Sequence, residues 1–351
     1  RSSDLQTKAG GTIASLIGGH NQLDIYQASV TLASGTAAYA DAAINGQAQV
    51  QLNHSTLTTQ SDNSALHVTG KNESNNVVNG IGIIAGGITG GGIVGDLRDT
   101  SSVLVDAVGG DLYGNIALEG IRAQSLTATA AVGQAGVING AGGLARIHDS
   151  GSVRITVDGV THGGIAGEAG DGQESVTESD FTVKANDETQ SFAHSFGVSA
   201  SVISNVGVAQ ATIDKTGSTD VTIKGSTFAN DRVNVTAAGG IQGSNDSEAM
   251  RLNATTESYG GSVVGTFLFN EATVNNTYGV NLTVEGGDYS ASNNVNLLSS
   301  AYVRYDVLAD TGSGGLLNSG NNKAEVNHGV QVTTLLNDLG LLKALTANAI
   351  N

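Results

Sequence analysis

The chain is expected to fold as an all-β, elongated β-solenoid, a parallel β-helix built from degenerate repeats of about 50–68 residues. Three observations predict this. One short pattern recurs six times, its apolar residues alternate with polar ones, and the residues between occurrences are Gly, Asn, Asp and Ser.

The recurring unit is an apolar residue, a polar turn and an alternating triplet. It reads Ile44-NGQAQ-Val50-Q-Leu52, Leu97-RDTSS-Val103-L-Val105 and Ile147-HDSGS-Val153-R-Ile155-T-Val157. It returns as Ile213-DKTGSTD-Val221-T-Ile223, Val274-NNTYG-Val280-N-Leu282-T-Val284 and Val326-NHG-Val330-Q-Val332. Aligned on Val50, Val103, Val153, Val221, Val280 and Val330, the repeats are 53, 50, 68, 59 and 50 residues apart. Period-two alternation means strands with one face buried. Val, Ile and Thr suit a pleated surface because their χ1 freedom is already low. Gly/Ala-rich tracts such as Gly86 to Gly95, Gly136 to Gly143 and Gly197 to Ala209 precede triplets and are expected where the wall flattens or backbones approach closely. A second strand pattern follows several triplets: Phe181-T-Val183, Val233-N-Val235 and Val295-N-Leu297.

A propeller is the alternative for repeats of this length, but blades close with recurrent aromatics. Here there is no Trp, and 8 Tyr and 6 Phe are scattered. With coils of roughly 20 residues, each repeat would hold about three coils, and the chain about 17 coils over about 80 Å. Such a narrow core would hold Val, Ile, Ala and Leu rather than large rings. Residues 31–334 form the expected array. Residues 1–30 are expected to cap one end or continue a longer chain, and 335–351 to form a helical cap or linker, since Leu335, Leu336, Leu339, Leu341, Leu342 and Leu345 recur at three- and four-residue spacing.

Composition narrows function. The 351 residues contain 50 Gly, no Pro and no Cys, which excludes disulfides and thiolate metal sites. Fifteen Lys and Arg against 32 Asp and Glu leave a net charge of −17, with no basic stripe to neutralise phosphates, so no nucleic-acid partner is expected. No stretch of about 18 apolar residues suggests a membrane-inserted helix. The absence of Cys, and a first residue Arg1 rather than Met, fit a mature extracellular product or a fragment of a longer one.

The repeat resembles those of bacterial filamentous adhesins, the leukotoxin-type and filamentous-haemagglutinin-like exoproteins of two-partner secretion. Gly197 to Gly239 and Gly260 to Leu298 each read like one whole repeat of that kind. The resemblance spans roughly residues 30 to 335 and rests on pattern and composition. It implies a structural, rod-like segment of a secreted or cell-surface adhesin or filament. Expected partners are further copies end to end, neighbouring domains, and host or bacterial surface glycans or proteins. The amino-terminal secretion domain of such exoproteins is not recognisable in this chain.

The alternatives are a self-assembling extracellular filament or matrix subunit and a polysaccharide-processing β-helix, a lyase or a tailspike-like glycosidase, which needs clustered carboxylates on one face. The closest groupings are Asp96 and Asp99 with Arg98, Asp180 with Glu178 and Glu174, and Asp187 with Glu188. Each falls in or beside a polar turn and reads as solvated turn chemistry. No catalytic, cofactor-binding or metal-ligating residue is assigned. Calcium is expected at most as a weak occupant of carbonyl-rich turns, because neither GGxGxD nor an EF-hand loop occurs. His20, His54, His67, His148, His162, His194 and His328 lack zinc spacing, and Gly90-Gly91-Gly92 lacks the Lys of a phosphate loop.

Overall fold

The structure is a computed structural model that describes residues 4–7, 11–59, 65–163, 179–240, 249–343 and 346–350. All regular elements among these residues are β-strands, and every pairing is parallel, as a β-solenoid requires. The period differs from expectation. Gly11 pairs with Leu66, Leu66 with Ile116, Ile116 with Phe181, Phe181 with Val233, Val233 with Val295 and Val295 with Ala347. One repeat is therefore one coil of 50 to 65 residues, not three short ones.

Among the described residues six coils result: 11–59, 65–113, 115–163, 180–229, 232–240 with 249–290, and 294–343. At one strand spacing per coil the array rises about 29 Å rather than about 80 Å. Short strands extend it at both ends, Asp4–Thr7 on Thr56–Thr59 and Thr346–Ile350 on Asn294–Leu298.

The triplets stack in register, shifted from the sequence alignment by two residues in three coils. Val103 and Val153 lie under Thr219 rather than Val221, and Ala48 and Val332 replace Val50 and Val330 in that row. A two-residue slip keeps the inward face inward, so alternation alone cannot detect it. The second strand pattern stacks as expected, Phe181 on Val233 on Val295.

Within a coil two chambers follow one another. In the body, the strand face beginning at Ile116 packs across the triplet, and a Cβ on Gly120 would stand within 3.5 Å of Val153 and Ile155. Val103, Val153, Ile155, Val183 and Val235 are fully buried here. One corner holds larger groups than expected: His162, Phe181, Phe228 and Tyr289 stack with ring centroids 4.6 to 5.1 Å apart. A coil this wide has room for rings, and the stack follows the register, Leu112 under His162 under Phe228 under Tyr289.

The second chamber is a thin two-layered fin. The long strand runs out, bends near Gly86-Gly87, and returns against itself. A Cβ on Gly80 would stand 2.5 Å from Ile93, and one on Gly82 2.7 Å from it. The Gly/Ala tracts are thus places of close backbone approach, as their composition predicts. Beneath the bend, Thr89 bonds Asn139 (2.7 Å), and Asn139 donates to the Ala200 carbonyl (2.6 Å), so buried polar groups brace the tip.

The domain expectations change at both ends. Residues 11–30 belong to the first coil, paired residue by residue with 66–85. The helix expected from the Leu spacing is not formed in the described part: Gln331–Asn337 and Leu341–Lys343 are strands. Leu335 and Leu336 continue the ladder over Thr283 and Val284, and ladder bonding overrides the spacing. Residues 344, 345 and 351 lie outside the described residues.

Gly86→Ala should test the fin. Its Cβ would strike the Thr31 carbonyl oxygen of the coil below, whereas on Gly92 the nearest atom is the Gly142 carbonyl oxygen at 3.7 Å. Urea unfolding should show Gly86→Ala destabilised by roughly 1–3 kcal/mol and Gly92→Ala within about 0.5 kcal/mol of the parent.

Candidate functional site

The densest chemistry lies at the neck joining body to fin, where two stacks face each other. One stack is Ile17, Asn72, Arg122, Asp187, Gly239 and Ala301. The other is Ile44, Asp99, Asp149, Lys215, Asn276 and His328. Polar residues occur here because the chain turns sharply and the turns need side-chain acceptors. Asp99 accepts from the Ser101 amide (2.9 Å), Asp149 from Gly151 (3.0 Å), Asp187 from Thr189 (3.1 Å) and Asn276 from Tyr278 (3.0 Å). These are Asx-turns, one coil above another.

Burial makes those carboxylates need counter-charges. Arg122 reaches Asp149 at 2.5 Å, Asp187 at 2.9 Å, and Asp99. Lys215 bridges Asp149 at 2.5 Å and Asp187 at 2.8 Å, with its ammonium 4.7 Å from the Tyr278 ring centroid. All five charged side chains are fully buried. Ser101 and Thr189 accept from the guanidinium at 3.1 and 2.7 Å. Gly151 leaves the room that the guanidinium occupies, since a Cβ there would collide with it.

The titration directions follow from this geometry. Burial pushes Asp187 up, but Arg122 and Lys215 outweigh it and hold the carboxyl well below the usual carboxylate range. Burial raises Asp99 despite Arg122. Burial likewise raises Tyr278, reinforced by the charge of Asp187. Three carboxylates around two cations already engaged with them form a clamp, not an exposed acid-base pair.

Asp96 and Asp99, read from sequence as solvated, are both buried. Asp99 enters the clamp, while Asp96 takes the Tyr39 hydroxyl at 2.9 Å and Arg98 at 2.8 Å. Asp187 is in the clamp too, whereas Glu188 faces outward. Asp180 pairs with Arg232 at 3.6 Å, and Glu174 and Glu178 lie outside the described residues. Sequence reasoning missed Arg122 and Lys215, because each is remote in sequence from at least two of its partners. The detectable signal was D-x-[ST], which recurs at Asp99 and Asp187, with D-x-G at Asp149.

Outside the neck lies a shallow depression of about 380 Å³, with Glu73 and Glu188 on its walls and Ser74, Gln124 and Ser125 along it. Glu73 sits two coils below Glu188 with Ala123 between, and it is paired with Lys71 at 2.6 Å. Elsewhere on the surface, side chains join into axial ladders. Asn327 donates to Asn275 (2.8 Å), Asn275 to Asp214 (2.7 Å), and His148 meets Asp214 at 2.9 Å. Asn281 donates to Asp220 and Asn296 to Asn234, each at 2.8 Å. Among the described residues no three His, Asp or Glu side chains are grouped to hold a metal ion. No helix among them is long and apolar enough to cross a membrane.

Of the seven histidines, His162 alone is fully buried. It stands in the aromatic stack with Nδ1 2.6 Å from the Asn230 amide, and burial lowers its pKa to about 4. Comparison with known proteins yields no match, whether to a family model, a curated protein or a solved structure.

Two measurements test the buried groups. Arg122→Met removes the cation that contacts Asp99 and leaves Asp149 and Asp187 to Lys215, and should cost about 3–5 kcal/mol in denaturant unfolding at neutral pH. His162 has a folded pKa below its unfolded one, so its contribution is complete above the unfolded value. That stability falls as pH drops from about 6.5 to about 4, by about 3 kcal/mol at most. His162→Phe, which fits between Leu112 and Phe228, should flatten the unfolding free energy over this interval. An unchanged slope would show that His162 does not set it.

Proposed function

We propose that the chain is a structural, rod-forming segment of a secreted or cell-surface adhesin or filament, acting by stacking and by repetitive surface contact. The observation that carries this reading is the openness of both terminal coils. In coils two to five the inward residues are sealed by neighbours above and below: Val68, Ala254 and Val280 are fully buried. Their register partners Ile13, Val307 and Val332 are only partly buried. An end coil of this kind offers both a half-covered apolar row and a strand edge able to pair with another coil. The repeat architecture supports the same reading, since each coil rests only on its neighbours.

The lateral ladders add the second half of the proposal. They present amides and carboxylates at one strand spacing, coil after coil. A ligand with its own repeat, such as a surface glycan, would meet many weak contacts at once, with strength coming from avidity. The resemblance to filamentous adhesin repeats supports the same class.

Negative-stain electron microscopy of the full chain over a concentration series tests stacking. Rods should lengthen with concentration in steps of about 29 Å, the rise of six coils. Val307→Lys with Val332→Lys, which places charges on the open apolar row, should shorten them. Particles that stay one unit long at every concentration would sink the stacking reading.

A further inference from the structure

The returning layer of the fin has an outer face free of charge. Its six strips are residues 33–38, 88–93, 138–143, 204–209, 265–270 and 317–322, which lie in register from coil to coil. None contains Asp, Glu, Lys, Arg or His, in a chain whose net charge is −17.

The face also has relief. On the first three coils two adjoining outward rows carry Gly35 and Ala37, Gly90 and Gly92, then Gly140 and Gly142, while the third outward row carries Ala33, Ile88 and Ile138. No side chain rises over these glycines. The nearest atoms to a Cβ on Gly35, Gly90, Gly92 and Gly142 are backbone oxygens 3.7 to 4.0 Å away, and Gly140 has nothing within 4 Å. On the fourth and fifth coils the same two rows carry Val206 and Val208, then Phe267 and Phe269, all between 39% and 45% exposed. A trough on one half of the face thus adjoins a ridge on the other half.

A two-fold axis lying in the plane of this face, parallel to its strands and between the third and fourth coils, exchanges coil two with coil five and coil three with coil four. It sets Phe267 and Phe269 of one copy over Gly90 and Gly92 of the other, and Val206 and Val208 over Gly140 and Gly142. From this relief we infer that the face is an isologous interface between two copies of this chain, paired fin against fin with their axes antiparallel. Such an arrangement is self-complementary, as closed two-fold pairing requires. The area agrees. Six residues at about 3.3 Å by six coils at about 4.8 Å give roughly 600 Å² per copy, about 1,200 Å² in all, the lower limit for a specific interface. It is also a surface on which two acidic chains can approach without facing carboxylates. Lateral pairing of this kind is independent of end-to-end stacking, because it uses a flank and not a terminal coil.

Sedimentation equilibrium of the full chain tests the inference. A closed monomer–dimer equilibrium in the micromolar range is expected, retained or tightened at about 0.5 M salt as the remaining acidic surface is screened. Phe269→Lys puts a charge on the ridge, and Gly142→Leu fills the trough from the opposite side. Both positions face outward, so the melting temperature should hold while dimerisation weakens at least about tenfold in each. A chain that stays monomeric at about 200 μM overturns the inference, on the concentration scale at which an interface of this size associates. So does a dimer indifferent to both substitutions. Open-ended association that survives them is end stacking and also overturns lateral pairing. Finally, a monomer in buffer that binds phosphatidylcholine vesicles through the same residues would identify the face as lipid-directed, not self-directed.

Discussion

The parallel, in-register ladder is the constraint on which the rest of the molecule depends. It sets each side chain about 4.8 Å from its counterparts above and below. Apolar residues tolerate this, and Val105, Ile155 and Val221 simply pile up. Charges do not. Two like charges at that spacing repel by about 3 kcal/mol at an effective dielectric of 20. The neck resolves the conflict with two facing stacks. Asp99 and Asp149 are adjacent on one wall, but Arg122 on the opposite wall contacts both. Lys215 follows Asp149 in its own stack and reaches across to Asp187. Outside, the same rule gives Asp214 a histidine below and an asparagine above.

The ladder also explains why one coil is so long. A coil must close on itself while holding both a body wide enough for an aromatic stack and a fin thin enough for glycine to face isoleucine. The neck is where those widths meet. A buried charge cluster at that place is no measure of net stability, because replacing a whole cluster with packed apolar groups is often neutral or stabilising while removing one member is costly. Its geometric role is concrete: Arg122 ties three successive coils, through Asp99, Asp149 and Asp187, at the hinge between the chambers.

Much of the fold was legible in the residues, and the misreadings share one cause. Alternating triplets and Gly/Asn/Asp punctuation identify parallel strands and turns, and their order survives in the structure. The distance at which strands pair is not written locally. Val103 and Val153 look alike whether one coil or three separate them, so the coil size was misjudged. The narrow-core expectation for aromatics failed with it, although His162, Phe228 and Tyr289 recur at intervals of 66 and 61 residues, near the triplet interval. Asp99 and Asp187 read as solvated because a turn acid is ordinarily exposed. Their burial depends on Arg122 and Lys215, and nothing at either cation marks it as a partner of acids up to 66 residues away.

Stacking alone does not account for the uncharged fin. Elsewhere the ladder carries charge freely when neighbours complement it: Lys323 lies 2.9 Å from Glu271 just beyond the uncharged strips, and Arg251 3.0 Å from Asp306 on the strands that lead out to them. The fin has the same backbone, spacing and exposure to solvent, so the ladder would accept complementary charges there too. Close packing between its layers restricts the inward positions, which explains Gly80, Gly82 and Gly91. It leaves the outward positions unconstrained, and those are the ones holding Gly35, Gly90, Gly140, Val206 and Phe267. A face that six degenerate coils keep free of charge, without internal need, is shaped by what lies outside the fin. The trough beside the ridge makes a second fin the surface that fits it.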